Sequence, residues 1–178
     1  PYMSDTTEAA KRSLRDESPA IDDVCDLLVE TTDADPDLLL DFARLFLSRA
    51  PEDLLRQRST GDLAAMTLGA FRFLEGSRPY RVDVSVTDPQ ESGEGWSAPV
   101  TVIRTNVSER PFIIDSIREY LSLHDFSIER MVYPILDVER DDEGRVVGLA
   151  PPTDRGAKES IVHCEIARVE DPDRLASL

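Results

Sequence analysis

The sequence has no run of apolar residues long enough to span a bilayer, and it does not open with the charged-then-apolar pattern of a secretory signal. Its only two cysteines, Cys25 and Cys164, are too few and too scattered for a disulfide framework. Both absences suit a reducing compartment. We therefore expect a cytoplasmic protein with no membrane partner.

Positive charge is also scarce. Lysine occurs only at Lys11 and Lys158, and 36 acidic residues against 20 basic ones give a formal net charge of −16. This charge repels the phosphate backbone of a nucleic acid, and no basic patch with interleaved aromatic residues offsets it. Nucleic acid is therefore excluded as an expected partner. The 178 residues suffice for one domain, or for a small helical piece and one α/β module.

Groups typical of catalytic and metal sites are few. The candidates are His124, His163 and Cys164, but neighbouring residues on a strand point to opposite faces, so His163 and Cys164 could not share a ligand. The segment from Gly93 to Ala98 matches a GxGxxA dinucleotide fingerprint, yet Pro99 and a strand follow it instead of a helix. We predict no catalytic constellation, no metal site and no bound NAD in this segment.

The first part of the chain has the periodicity of amphipathic helices. Apolar stripes predict three of them, from Ala20 to Val29, from Pro36 to Leu47 and from about Thr60 to Gly76. Asp35 is placed to cap the second helix, with proline at its first position. We expect residues 1–77 to form a small helical subdomain.

Residues 78–178 have the alternating pattern of strands, interrupted by one helix. The predicted strands run from Val82 to Thr87, Val100 to Val107, Ile128 to Val138, Val146 to Leu149 and Ser160 to Arg168. Pro134 cannot donate to a ladder, so the third strand should be an edge strand or locally bulged. The second strand is apolar in both phases, which predicts a central position or a bulge.

The segment from Asn106 to Val138 organises this second part. Between Phe112 and Leu121 the apolar residues recur at helical spacing, which predicts a helix lying on a sheet. We expect Ser108 to cap this helix and Pro111 to lie in its first turn. Asp115 would then meet the positive end of the helix dipole.

The order of these elements predicts a ferredoxin-like βαββαβ unit that lacks its last strand. A final helix would begin at Asp171–Pro172, with Leu175 and Leu178 facing the core. We predict that the Val82–Thr87 strand takes the place of the absent strand by pairing with Val100–Val107, because an unpaired central strand invites aggregation. The expected fold class is α+β: an antiparallel sheet with helices on one face, preceded by a small helical subdomain.

One stretch also resembles a known family. Pro111 to Ser116, followed by a helix and the strand from Tyr133 to Val138, resembles the amino-terminal regulatory region of large-subunit NAD-dependent glutamate dehydrogenases. Chains of that family begin with ACT-type modules, which have the ferredoxin-like topology. Matches at Gly95–Pro99, Asp141–Leu149 and Glu159–His163 extend the resemblance along most of the chain from about Leu47. It implies an ACT-like module over residues 78–178, truncated in its second helix.

The resemblance implies a regulatory or assembly segment of an enzyme that converts L-glutamate and NAD+ to 2-oxoglutarate, ammonia and NADH. The active site and the NAD cofactor would belong to the parent enzyme and not to this segment. Its expected partners are the remainder of the same polypeptide, further subunits of a homo-oligomer and an amino-acid effector. Two alternatives remain open: a free-standing ACT-like amino-acid sensor, and a purely structural oligomerisation module that binds no ligand.

The resemblance also points to one candidate ligand site. ACT domains bind amino acids near the loop between the first strand and the first helix, where free backbone amides can hold a carboxylate. The corresponding residues here are Asn106, Ser108, Arg110, Phe112 and Asp115. Phe112 stands where a glycine is common in ACT domains, Pro111 removes one amide, and Asp115 adds negative charge. These departures favour a packing role for the loop over ligand binding.

Overall fold

A computed structural model describes residues 19–78 and 82–178 of the chain. The first 18 residues of the predicted helical subdomain lie outside the described residues. The helices are α1 (Pro19–Thr31), α2 (Pro36–Leu47), α3 (Glu52–Gln57), α4 (Thr60–Gly76), α5 (Ile113–Leu123) and α6 (Pro172–Leu175). The strands are β1 (Asp83–Thr87), β2 (Val100–Ser108), β3 (Ile128–Val132), β4 (Ile135–Arg140), β5 (Val146–Ala150) and β6 (Lys158–Ala167).

The strands form one antiparallel sheet in the order β1-β2-β6-β4-β5, and β3 also pairs with β6. β2 and β6 are the central strands and pair along their whole length, from Val100 opposite Ala167 to Ser108 opposite Glu159. β1 pairs with the free side of β2, as predicted. The first strand of the module, which precedes β2 in the chain, therefore occupies the position of the last ferredoxin-like strand. The predicted α+β, ferredoxin-like fold class is confirmed.

Pro134 breaks the predicted Ile128–Val138 strand into β3 and β4. The two pieces pair with successive parts of β6, and the pairing of β3 contains a register shift between Ile128 and Arg130. The carbonyl of Pro134 still accepts a hydrogen bond from the Ile161 amide at 3.1 Å. The prediction was an edge strand or a local bulge; instead the strand breaks at Pro134, because a proline lacks the amide proton of a continuous ladder, and β4 is paired on both sides.

Helices cover both faces of the sheet. α5 packs on one face through a cluster that includes Leu121, Cys164 and Ile166. On the opposite face, α1 to α4 share one apolar cluster with strand residues such as Val102 and Ile161. The central strands β2 and β6 carry apolar residues in both phases. Each face of the sheet therefore needs helices packed on it. A modular boundary at residues 77 and 78 stays a prediction.

Most helix boundaries agree with the sequence-based predictions, including the Asp35 cap, whose side chain accepts from the amides of Asp37 and Leu38. The short helix α3 was not predicted, because six residues contain too few turns to show a period. Leu178 packs against the α5-side cluster, but the prediction for Leu175 was wrong: this side chain is exposed. α6 is only four residues long and presents little of its surface to the core.

The start of α5 also differs from the prediction. The helix begins at Ile113, its N-cap position is Phe112, and no side chain caps it. Ser108 is the last residue of β2 and lies too far from the first turn to act as the cap. Pro111 lies in the turn before the helix, whereas Asp115 does lie in the first turn. None of the helices within the described ranges is long and apolar enough to cross a membrane.

Candidate functional site

The loop that joins β2 to α5 is the candidate ligand site predicted from the sequence. It is anchored at its start, where the Glu109 amide donates to the Lys158 carbonyl at 2.9 Å. It ends at Phe112, whose φ of 69° is left-handed and whose carbonyl accepts the first α5 hydrogen bond from Ser116. A bulky residue in this region of backbone space is strained. The loop therefore fixes an aromatic side chain at the amino terminus of α5.

Two of the five predicted site residues line a hollow beside this loop. Arg110 and Phe112 are at its rim, and the hollow has a volume of about 300 Å³. Most of the remaining wall is apolar and consists of Val82, Val84, Val107, Pro111, Ile113 and Ile117. Thr105 and Ser116 complete it. The lining is therefore mostly apolar, with two hydroxyl side chains and one guanidinium group.

The other predicted residues are not gathered there. Asn106 faces the opposite side of the sheet, where its Nδ2 donates to Glu159 Oε2 at 2.7 Å. Ser108 offers its carbonyl to Arg110 Nε at 3.4 Å. Asp115 is exposed in the first turn of α5 and is not among the residues that line the hollow. The geometry therefore keeps only Arg110 and Phe112 as candidates for contact with a ligand in this hollow.

Substitution of Phe112 separates backbone strain from side-chain contacts. Phe112→Gly should be more stable than Phe112→Ala by about 1 kcal/mol, because glycine adopts positive φ without a Cβ penalty. Both variants lose the same exposed ring, so their difference reports the backbone alone. Urea unfolding of the two proteins measures it. Equal stability of the two variants would show that position 112 is not held in the left-handed region.

A second cluster of polar side chains is buried between the helices and the sheet. Arg104 of β2 makes two hydrogen bonds to Glu94, at 2.5 Å and 2.8 Å. Glu94 also accepts from Trp96 Nε1 at 3.1 Å. Gly69 of α4 lies over this pair, and a Cβ there would be 2.7 Å from Glu94 Oε2. A glycine at this position therefore lets α4 approach the ion pair closely.

The cluster continues along β6 through His163 and Glu165. Arg104 Nε donates to His163 Nδ1 at 3.3 Å, so the neutral imidazole carries its proton on Nε2. That nitrogen lies 3.6 Å from Glu165 Oε1. Glu165 Oε2 accepts from Arg58 at 2.9 Å, and the Arg58 guanidinium lies over the Trp96 ring. The five charged or titratable groups thus form a chain from Glu94 to Arg58.

Burial and neighbouring charges shift the pKa values of this cluster. Burial lowers the pKa of His163 below its ordinary value, and the Arg104 charge acts in the same direction. Burial would raise the pKa of Glu94, but the hydrogen bonds and charge of Arg104 outweigh it and leave this pKa lowered. The pKa of Glu165 is likewise lowered, since His163 and Arg58 outweigh the effect of burial. Near neutral pH both carboxylates are charged and the imidazole is neutral.

The stability of the fold should therefore fall in acid. Because the pKa of His163 is lower in the folded chain than its ordinary 6.5, the unfolded chain takes up a proton first as the pH falls below 6.5. Between pH 7 and pH 5 this uptake should cost at most about 1.4 kcal/mol per pH unit. Urea unfolding at several pH values measures the slope, which His163→Gln should flatten.

His124→Gln is the matched control for this experiment, because His124 is the exposed C-cap residue of α5 and lies outside the buried cluster. The pH dependence should persist in it. Loss of the slope in His124→Gln, or an unchanged slope in His163→Gln, would contradict the assignment to His163. The carboxylates of Glu94 and Glu165 add to the acid sensitivity only below about pH 4.5, their ordinary range.

This cluster was not predicted from the sequence, although one signal for it was present. Arg104 and Glu165 are charged residues within strands that carry apolar residues in both phases, and such strands are buried on both faces. A charge in a fully buried strand requires a partner, so each of the two predicts an ion pair. The identity of the partners, Glu94 in a loop and Arg58 between two helices, depends on the tertiary fold.

The remaining candidates for reactive or metal-binding groups are Cys164 and the histidines. Burial raises the pKa of the Cys164 thiol to about 12, which removes it as a nucleophile. His163 and Cys164 do point to opposite faces of β6, as predicted. Within residues 19–78 and 82–178, no group of three or more histidine, cysteine or acidic residues could hold a metal ion.

Comparison with known proteins places the chain in a family. A model of the family described as "Glutamate dehydrogenase, ACT1 domain" matches residues 42–178. The chain belongs to this family. The resemblance carried by Pro111 to Ser116 is thereby confirmed, and the ACT1 match includes the whole sheet, α5 and every residue of the buried ionic cluster.

Two curated relatives agree with the ACT1 assignment. The "NAD-specific glutamate dehydrogenase" of Halomonas elongata is 30% identical over 140 residues, and that of Pseudomonas aeruginosa is 31% identical over 140 residues. Each alignment covers 77% of this chain but 9% of the relative. The chain thus spans less than a tenth of the length of these relatives. No solved structure matches it.

Proposed function

We propose that this chain is the amino-terminal regulatory or assembly segment of an NAD-dependent glutamate dehydrogenase. The parent enzyme would convert L-glutamate and NAD+ to 2-oxoglutarate, ammonia and NADH in the cytoplasm. The observation that carries the proposal is the ACT1 family match over residues 42–178, together with two relatives named as NAD-specific glutamate dehydrogenases. Substrate chemistry and the NAD cofactor belong, on this proposal, to other parts of the parent polypeptide.

The geometry favours assembly over effector binding as the role of this segment. The hollow beside the β2–α5 loop has a mostly apolar lining, with Thr105 and Ser116 as its hydroxyl side chains, whereas a free amino acid presents a carboxylate and an ammonium group. Arg110 supplies one cation at the rim, but Pro111 has no amide proton to offer. The proposed partners are therefore the remainder of the same polypeptide and further subunits of a homo-oligomer. An amino-acid effector is the second candidate.

The coding sequence that follows Leu178 in the natural gene tests directly whether the chain is part of the proposed parent enzyme. A long continuation that contains a strand, a GxGxxG segment and a helix supports the proposal. A stop codon close to Leu178 would overturn it and favour the free-standing amino-acid sensor.

Isothermal titration of the chain with L-glutamate and the other amino acids separates assembly from sensing. Flat titrations support the assembly role. Saturable binding that is lost in Arg110→Gln but kept in Arg155→Gln would favour the effector site, because Arg155 is a similarly exposed arginine on the 151–157 loop. Binding that is kept in both variants would place an effector elsewhere on the segment.

A further inference from the structure

We propose that the Trp96 indole is a lid over His163, and that the lid opens when the imidazole takes up a proton. Trp96 lies in the GxGxxA segment from Gly93 to Ala98, to which the proposed function gives no role. The device concerns this chain alone and does not depend on the parent enzyme. Its effect would be to loosen the contact between the helical layer and the sheet in acid.

The indole packs between a strand and a helix end. The imidazole of His163 on β6 is fully buried, and its centroid lies 6.3 Å from that of the Trp96 ring. The Arg58 guanidinium, just after α3, lies 5.1 Å from the centroid of the indole and belongs to a side chain that is 11% exposed. Displacement of the indole would therefore admit water to His163 and release Arg58 from its ring contact.

The backbone around Trp96 is held mainly by side chains. Within the described part of the chain, residues 93–98 make no hydrogen bond to another main-chain group. The Trp96 Nε1 donates to Glu94 at 3.1 Å, and the Ala98 carbonyl accepts from Gln90 Nε2 at 3.4 Å. Gly95 has a φ of 87°, which glycine adopts without a Cβ penalty. This glycine can therefore act as the hinge of the lid while Glu94 stays paired with Arg104.

The closed lid suits only a neutral imidazole. Its Nδ1 accepts from Arg104 Nε at 3.3 Å, so a proton on Nδ1 would face a donor and a positive charge. Without water around the ring, the new charge would also be poorly solvated. Proton uptake at His163 therefore favours a state in which the ring is hydrated.

The other charged groups around the ring do not offset this cost. Glu165 already accepts from Arg58 at 2.9 Å and lies 3.5 Å from Arg130, while Glu94 is held by Arg104. Burial outweighs the attraction of both carboxylates, so the pKa of His163 is lowered. The residues that approach the ring from the remaining elements are apolar: Phe46 of α2 and its cross-strand neighbour Val132 of β3.

The direction of the pH effect follows from these contacts. In the open state the imidazole recovers its ordinary pKa of 6.5, whereas in the closed state the pKa is lower. The open state therefore binds more protons below pH 6.5, and acid increases its population. Between pH 7 and pH 5 the open fraction should rise by at most about 25-fold.

Hydrogen exchange of the indole tests the inference. Trp96 is the only tryptophan in the sequence, so its Nε1–H gives a single indole resonance in the NMR spectrum. The exchange rate of this proton, divided into that of N-acetyl-tryptophanamide at the same pH, gives a protection factor that measures the open fraction. The unsubstituted chain, His163→Gln and the control His124→Gln are compared from pH 7 to pH 5, without urea and in about 1 M urea, a concentration that perturbs global unfolding measurably.

The protection factor should fall by up to about 25-fold from pH 7 to pH 5 in the unsubstituted chain and in His124→Gln. It should not depend on pH in His163→Gln. A protection factor that is independent of pH in the unsubstituted chain, or that falls equally in His163→Gln, would overturn the inference.

A second comparison needs only the unsubstituted chain. The amide of Ile161, a buried residue of the central strand β6, donates to Pro134 and should be released by global unfolding. Urea should lower its protection, but it should leave that of the indole nearly unchanged, because lid opening exposes little surface. Equal protection of the two groups with the same urea dependence would overturn the lid, since Trp96 would then be released only when the whole chain unfolds.

Discussion

Glu94→Gln is expected to destabilise the folded chain by about 3 kcal/mol, because it leaves the Arg104 guanidinium buried without its counter-ion. Only 3% of the Arg104 side chain is exposed, and its remaining side-chain hydrogen bond goes to the neutral ring of His163. The guanidinium cannot reach water without moving α4, whose Gly69 lies against the pair. Urea unfolding monitored by circular dichroism at pH 7 measures the loss.

The control for this prediction is Glu52→Gln. Glu52 pairs with Arg56 at 2.6 Å on α3, but both side chains are largely exposed. Exposed pairs at this spacing contribute only about 0.3–0.5 kcal/mol, so the control should differ little from the parent chain. The double variant Glu94→Gln with Arg104→Met should recover much of the loss, since it removes the unpaired charge. A single Glu94→Gln variant as stable as the control would show that Arg104 is not buried in solution.

The topology of the sheet could be predicted from the sequence because each element carries a local signal. Alternating valines identified β1, and the two apolar phases of β2 predicted a central position or a bulge. Pro134 marked an irregular position in the third strand, but the break into β3 and β4 was not predicted. Placement of β1 beside β2 followed from a global argument, since the central strand needed a second neighbour. These steps depend on backbone chemistry and periodicity, which a single sequence contains.

The candidate site could be predicted only in part, because side-chain direction depends on register. Asn106 and Arg110 are four residues apart, yet Asn106 faces Glu159 on the helical side while Arg110 lies at the rim of the hollow. The direction of Asn106 follows from its pairing with Ile161, which no local pattern reveals. Phe112 as the N-cap position was missed for a similar reason: its left-handed backbone contradicts its own conformational preference.

The buried cluster lay beyond sequence reasoning because its partners come from distant parts of the chain. Arg58 and Glu165 are 107 residues apart, and Arg104 and His163 are 59 apart. Each pair forms only after the helices pack on the sheet. The cluster therefore links the two predicted parts of the chain. A substitution that destabilises one part should also destabilise the other.

Phe42→Ala tests that link and should cost about 3–5 kcal/mol, the loss expected for a large buried aromatic side chain. Phe42 of α2 is fully buried, with its ring centroid 5.3 Å from Phe46 and 5.5 Å from Phe71. Its cluster continues into the strands, so the helices and the sheet should unfold together. Circular dichroism at 222 nm reports the helices, and thiol accessibility of Cys164, between β6 and α5, reports the far face of the sheet.

Both probes should shift to lower urea concentration by the same amount in Phe42→Ala. Leu123→Ala is the control, because Leu123 is 75% exposed at the end of α5 and its removal creates no cavity. A circular-dichroism transition that shifts while Cys164 keeps its protection would show that the helices unfold alone. That outcome would support independent modules with a boundary near residues 77 and 78. Coincident shifts would instead mean that any signal received by α1 to α4 reaches α5 through a single cooperative core.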